Sequence, residues 1–119
     1  MCYNILEPNY LEIIGIDIWV KIIENQLNMM KTENIVITDC RFENEFALLT
    51  KYGGKIIHVY RSLPSWFESY KATKTTNDEL IGMHRSELEW IQCQFDYELS
   101  NESTIEELYA KVRNIVKMI

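Results

Sequence analysis

Asn34-Ile35-Val36-Ile37-Thr38-Asp39-Cys40-Arg41-Phe42-Glu43-Asn44-Glu45 is the stretch on which the reading of this chain turns. Residues 34–38 form a short, continuous β-branched run, the pattern of a strand covered on both faces. Asp39-Cys40-Arg41 ends it. A carboxylate at the tip of a buried parallel strand can order a Mg²⁺-bound water. An arginine two residues on can leave the strand and grip a phosphate with its planar fork. The same spacing also fits a plain surface ion pair at a strand end, and short motifs of this kind recur by chance.

Working outward from it, the periodicity alternates between helix and strand. Ile18, Trp19, Ile22, Ile23, Leu27 and Met30 recur at helical spacing, which predicts a helix over 18–31 with Asp17 as its N-cap. Phe46, Leu48, Leu49 and Tyr52 predict a helix from Glu43 to Tyr52, stopped by Gly53-Gly54. Lys55 to Tyr60 reads as a second buried strand. Residues 61–83 are polar, hold Pro64, Asn77 and Gly82, and read as loop or mobile helix. His84 to Gln92 reads as a helix and Phe95 to Leu99 as a third strand. Ser103-Thr104-Ile105-Glu106 reads as a capping box, opening a helix with the apolar stripe Ile105, Leu108, Val112, Ile115 and Val116. This order predicts right-handed crossovers, a parallel sheet covered by helices on both faces, and ligands beyond the carboxyl ends of the strands. Asp39 to Arg41, Arg61 and Asn101 fall there.

The 119 residues form one domain of ordinary composition, 47% apolar and 25% charged, with a net charge of −6. No apolar run approaches the roughly 20 residues of a membrane span, and Met1 to Asn9 has no secretory pattern. A pI near 4.9 argues against a nucleic-acid polymer as partner. The charge is uneven: residues 51–85 carry six cations against three carboxylates, while the flanking stretches are acidic. A basic middle in an acidic chain suits a small anion, and equally an unevenly charged solvated surface. Cys2, Cys40 and Cys93 are odd in number and far apart, which predicts reduced thiols in a cytosol-like compartment rather than disulfides or a zinc site. His58, inside an apolar strand, reads as a satisfied core residue. Trp19 and Trp90 read as core. Trp66, Phe67 and Tyr70 fall in the polar stretch and either cover a ligand base or anchor the segment.

Asp39-Cys40-Arg41-Phe42-x-Asn44-Glu45, then Gly53-Gly54-Lys55 and a β-run ending in Arg61, resembles the middle of the deoxynucleoside monophosphate kinases of phages and large DNA viruses. Ile16 to Lys21 resembles the helix start before that family's Asp-x-Arg strand. His84-Arg85-Ser86-Glu87, Phe95-Asp96-Tyr97 and Thr104 to Leu108 resemble its His-x-Ser-Glu segment, last strand and final helix. The similarity runs from about Leu11 to the end. It implies an α/β P-loop kinase-like three-layer sandwich and transfer of a phosphoryl group from ATP, with Mg²⁺, to a nucleoside monophosphate. It implies that Arg41 holds the acceptor phosphate and that Asp39 orders the Mg²⁺ shell through water. Arg61, Lys71, Lys74, His84 and Arg85 would contact substrate from a lid at about 61–83 and its flanks, and Asn101 would reach the base. Cations there would neutralise the transferring phosphoryl group. The implied location is cytoplasmic, the host's cytoplasm if the chain is viral.

One departure from that family is large. No G-x-x-x-x-G-K-[ST] occurs, and the only Gly-Lys, Gly54-Lys55, follows a helix and precedes a strand, the reverse of a P-loop. The chain therefore reads as an incomplete sandwich, residues 1–119 forming a single partial domain with the P-loop strand missing and inactive alone. Strands at 34–38 and 55–60 would then flank an empty slot, each with an unpaired backbone row. A separate chain supplying the P-loop half, or a homo-oligomer, would fill it. The alternative is a non-catalytic nucleotide-binding or protein-interaction module on the same half-fold.

Overall fold

A computed structural model describes residues 17–30 and 34–119, so Cys2, Ile16 and Lys31 lie outside the described residues. The chain divides into two compact units, Met1–Asp39 and Cys40–Ile119.

In the first unit, helix α1 spans Ile18–Met29. Asp17 sits at its N-cap position and its carbonyl accepts from Lys21 N at 3.0 Å, but its carboxylate does not bond to the first-turn amides. None of the α1 side chains is buried, Trp19 included. The strand expected at 34–38 does not form: residues 34–37 belong to no regular element, and Val36 is 84% exposed. β-branched residues favour strands because they pack well on a pleated, half-buried surface with neighbours on either side. Among the described residues the sheet has two strands, and 34–38 is neither of them.

The second unit holds every buried side chain among the described residues. Helix α2 (Glu43–Lys51) begins where Glu45 folds back to accept the Arg41 and Phe42 amides at 2.8 and 2.9 Å. It ends as the sequence requires. Gly53 takes φ +75°, its amide donates to Thr50 O and the Gly54 amide to Leu49 O. These are the two bonds of a Schellman motif, which needs a left-handed residue at the first position beyond the cap. A Cβ on Gly54 would lie 3.0 Å from Leu49 O, so both glycines are needed for different reasons.

Strands β1 (Ile57–Tyr60) and β2 (Tyr97–Ser100) pair in parallel, with His58 opposite Glu98 and Val59 opposite Leu99. Asp96 clasps the start of the ladder: its carboxylate accepts from Ile56 N at 2.9 Å and Lys55 Nζ at 3.2 Å. The Ile56 amide, with Lys55 beside it, holds that carboxyl below the usual range. The parallel crossover between the strands carries helix α3 (Phe67–Thr73), a 3₁₀ turn at Asp78–Leu80, the one-turn helix α4 (Arg85–Leu88) and a second 3₁₀ turn at Glu89–Gln92. The single helix expected over His84–Gln92 is thus broken after Leu88. Residues 61–83 are not simply a polar loop, because Phe67 and Leu80 within them are core residues. Phe67 and Ile91 are fully buried. Each such side chain contributes about 1.5–3 kcal/mol of burial.

Helix α5 (Ile105–Met118) packs on β2. Its N-cap is Thr104, whose hydroxyl accepts from Glu107 N at 3.3 Å, so the cap falls one residue after the Ser103 at which the expected capping box began. Of the expected apolar stripe only Ile115 is buried; Ile105, Val112 and Val116 are exposed. Among the described residues no helix is long and apolar enough to cross a membrane.

Candidate functional site

A groove of about 690 Å³ opens in the second unit. α2 supplies Glu43, Phe46, Ala47 and Thr50 to its wall, and the end of α3 supplies Tyr70 and Lys74. α4 and the residues after it, through Gln94, supply Arg85, Leu88, Glu89, Gln92, Cys93 and Gln94. The lining mixes apolar and aromatic side chains with charged and amide groups.

The local folding that builds it is specific. Lys74 ends α3 in the left-handed conformation, φ 56° and ψ 15°, with its amide on Tyr70 O at 2.8 Å. A residue with a Cβ is disfavoured there relative to glycine, so a lysine is held in a position its backbone does not prefer. Gln92 ties the second 3₁₀ turn to α3 by donating from Nε2 to Tyr70 O at 3.0 Å. His84 caps α4: its Nδ1 accepts from Ser86 N at 3.2 Å and lies 2.8 Å from Ser86 Oγ. That is a structural task.

Two arginines meet carboxylates on this side of the unit. Arg41 reaches Glu87 at 3.3 Å, and Arg85 Nε donates to Glu89 at 2.7 Å. Glu89 also accepts from Glu43 N, the first residue of α2, at 3.1 Å. The hydrogen bond from Arg85 is the main reason the Glu89 carboxyl is held below its usual range, against the opposing effect of burial. Arg85 also lies over the Phe42 ring, 5.7 Å from its centre. The amides of Arg41, Phe42 and Glu43, before and at the start of α2, are thus all taken by the protein's own carboxylates, Glu45 and Glu89. Cys93 lines the groove as a free thiol, and burial pushes it up, so it stays protonated and inert near neutrality.

The expected site residues separate into groups. Lys74 and Arg85 line the groove, and Arg41 is tied through Glu87 to the helix that bears Arg85. Lys71 does not line it. Its Nζ sits 3.4 Å from Glu98 and within 6 Å of the Phe67 and Phe95 ring centres. Arg61 and Asn101 stand together at the carboxyl ends of β1 and β2, where Asn101 N donates to Tyr60 O at 2.7 Å. Arg61 is exposed. Asp39 is exposed and belongs to the first unit. Among the described residues no group of three or more His, Cys, Asp or Glu could hold a metal ion. A Mg²⁺ held by one carboxylate through water, with substrate phosphates as its other ligands, needs no such group. No G-x-x-x-x-G-K-[ST] phosphate-cradling motif is present in the sequence.

Sequence reasoning missed Gln92, Glu43 and Glu89 as groove residues, while Tyr70, read as either covering a base or anchoring the segment, lines the groove. Only the i, i+4 spacing of Arg85 and Glu89 signalled one of these contacts. The buried His58 is also a correction. Its ring lies against Tyr60, Phe67, Trp90 and Phe95 with centres 4.7–5.8 Å away. Its Nδ1, however, is buried with no hydrogen-bond partner among the described residues, 4.0 Å from Glu98 Oε1. Burial lowers its pKa, and Lys71 adds to the effect against the pull of Glu98.

Compared with known proteins, the chain matches no family model, no curated protein and no solved structure.

Proposed function

We propose that this chain binds a nucleoside monophosphate in the groove between α2, the end of α3 and residues 85–94, as the acceptor side of a kinase-like phosphotransferase. The observation that carries this reading is the convergence of Lys74 and Arg85, from separate segments, on one concave site. Arg41 is drawn to the same short helix by Glu87. The phosphate is held by Arg85 and Lys74. The Tyr70 and Phe46 rings give the base an apolar surface, and the amides of Gln92 and Gln94 offer both donors and acceptors to its edge.

The arginines are not bare. Each is already neutralised by a carboxylate, so a phosphate dianion binds by exchange, taking Arg85 from Glu89 and Arg41 from Glu87. Both guanidinium groups are exposed to solvent, so their ion pairs are screened and are given up to a doubly charged bidentate ligand. Transfer itself needs a triphosphate cradle that this sequence lacks, supplied in the incomplete-sandwich reading by a second chain. The cytoplasm is the compartment that suits the reduced thiols Cys40 and Cys93.

Isothermal titration of the full chain with each of the four deoxynucleoside monophosphates tests the reading. Arg85→Ala and Lys74→Ala are each expected to weaken binding by about tenfold or more, the worth of a charged hydrogen bond. Glu87→Gln, which releases Arg41, is expected to tighten it. Equal binding by all three variants would rule the groove out as the binding site. A second reading, a non-catalytic nucleotide-binding module, is favoured by the absent cradle. ADP formation from ATP and a monophosphate by this chain alone would exclude it.

A further inference from the structure

Helix α5 carries a second apolar strip that the fold does not use. Ile105, Tyr109, Val112 and Val116 are 56, 53, 41 and 64% exposed. Their spacing of four, three and four residues sets them within about 60° of one another around the helix, at about 100° per residue. Leu108, Lys111 and Ile115 lie on the adjoining side, toward β2: Ile115 is buried, and Lys111 donates to Ser100 O at 2.8 Å. The strip therefore stands beside the seam that holds α5 to the sheet and is left open to solvent. A 4-3-4 apolar row of this kind is the pattern that two helices bury between them.

The charges beside the strip say what covers it. Its solvent-side border holds one acidic residue in the first turn, Glu106, and two basic ones in the second half, Arg113 and Lys117. Turned antiparallel about a two-fold axis at its midpoint, the strip places Ile105 against Val116 of the other copy and Tyr109 against Val112. The same operation sets Glu106 between Arg113 and Lys117 of the other copy. A parallel pair would instead set this charged border against the opposite border of the other copy, the side on which Ile115 and Lys111 already hold the sheet, and would leave Glu106 away from Arg113 and Lys117. A single helix face complementary to itself under a two-fold axis is an isologous interface.

We propose that two copies of this chain associate through α5, antiparallel, along Ile105, Tyr109, Val112 and Val116. Analytical ultracentrifugation of the full chain over about 5–200 μM tests it, since a self-association of this kind is governed by mass action. The expected mass at the upper end is twice the 14.2 kDa of one chain. Val112→Asp, at the centre of an exposed strip, is expected to abolish the dimer while circular dichroism stays unchanged. Glu106→Lys is expected to raise the dimer dissociation constant by about tenfold. Adding Arg113→Glu and Lys117→Glu to Glu106→Lys is expected to restore it. A monomer throughout the range overturns the proposal and leaves the strip to a different protein. So does a dimer indifferent to Val112→Asp, and so does one indifferent to Glu106→Lys, the behaviour of a parallel pair.

Discussion

Two β-branched runs in this chain have nearly the same composition and different fates. Asn34-Ile35-Val36-Ile37-Thr38 forms no strand and leaves Val36 in solvent. Ile56-Ile57-His58-Val59-Tyr60 supplies β1, with Ile56 and His58 buried. The difference is what each finds around it. β1 has Tyr97–Ser100 as its ladder partner, Asp96 clasping its entrance, and Phe67, Trp90 and Phe95 against one face. The first run is not in the sheet. Strand propensity measures fitness for a pleated surface with neighbours, and without the neighbours it decides little.

That contrast can be broken most sharply at the core of the second unit. Phe67→Ala removes a fully buried ring on which the aromatic face of β1 rests, and is expected to cost about 3–5 kcal/mol in a urea titration. Gly53→Ala forces a left-handed residue to carry a Cβ and is expected to cost about 1–2 kcal/mol, because escaping that φ breaks the bond from Gly54 N to Leu49 O.

His58 gives the contrast a pH dependence. Its pKa is lowered in the folded state, chiefly by burial. The unfolded chain takes up the proton below the ordinary value of 6.5 while the folded chain resists it, so stability falls as pH falls through that value. Glu98 and Lys71 are the charged groups that face the ring, and they act in opposite directions. The melting temperature of the wild type is expected to drop between about pH 7 and pH 5, and that of His58→Phe to change less. An equal drop in both would show that other groups govern the acid response.

Lys74→Gly separates stability from function. Glycine relieves the left-handed strain at the end of α3 and is expected to stabilise the fold by about 0.5–1 kcal/mol, while removing a cation from the groove. A gain in stability together with weaker monophosphate binding identifies Lys74 as a binding residue kept at a structural cost. The smallest effect is expected at the other β-branched run, where Val36→Ala should stay within about 0.5 kcal/mol.

Much of the local architecture was legible in the sequence, because local rules govern it. The helix at Glu43, its glycine stop, the two parallel strands and the Thr104 helix start all come from periodicity and capping chemistry. The illegible parts depend on contacts distant in sequence. The break after Leu88 leaves Ile91 and Trp90 on a 3₁₀ turn facing the core, and nothing in His84–Gln92 itself announces it. Residues 34–38 pair with no strand among the described residues, which a window of five residues cannot reveal. The core role of Phe67 was left open because it lies in a largely polar stretch, between Trp66 and Glu68. At the site, the basic residues were named correctly as cations but not as a set. Lys71 and Lys74, three residues apart on or beside the same helix, part company because Lys71 turns to Glu98 while Lys74 ends the helix at the groove.

The central claim is that the groove of the second unit is a monophosphate site. An amide-resolved NMR titration of the full chain with a deoxynucleoside monophosphate, beside the same nucleoside without phosphate, tests it most directly. Shifts are expected only in Arg41–Thr50, Tyr70–Lys74 and Arg85–Gln94, larger with the phosphate than without it. Shifts centred on Arg61 and Asn101, or no response from a chain that remains folded, would contradict it.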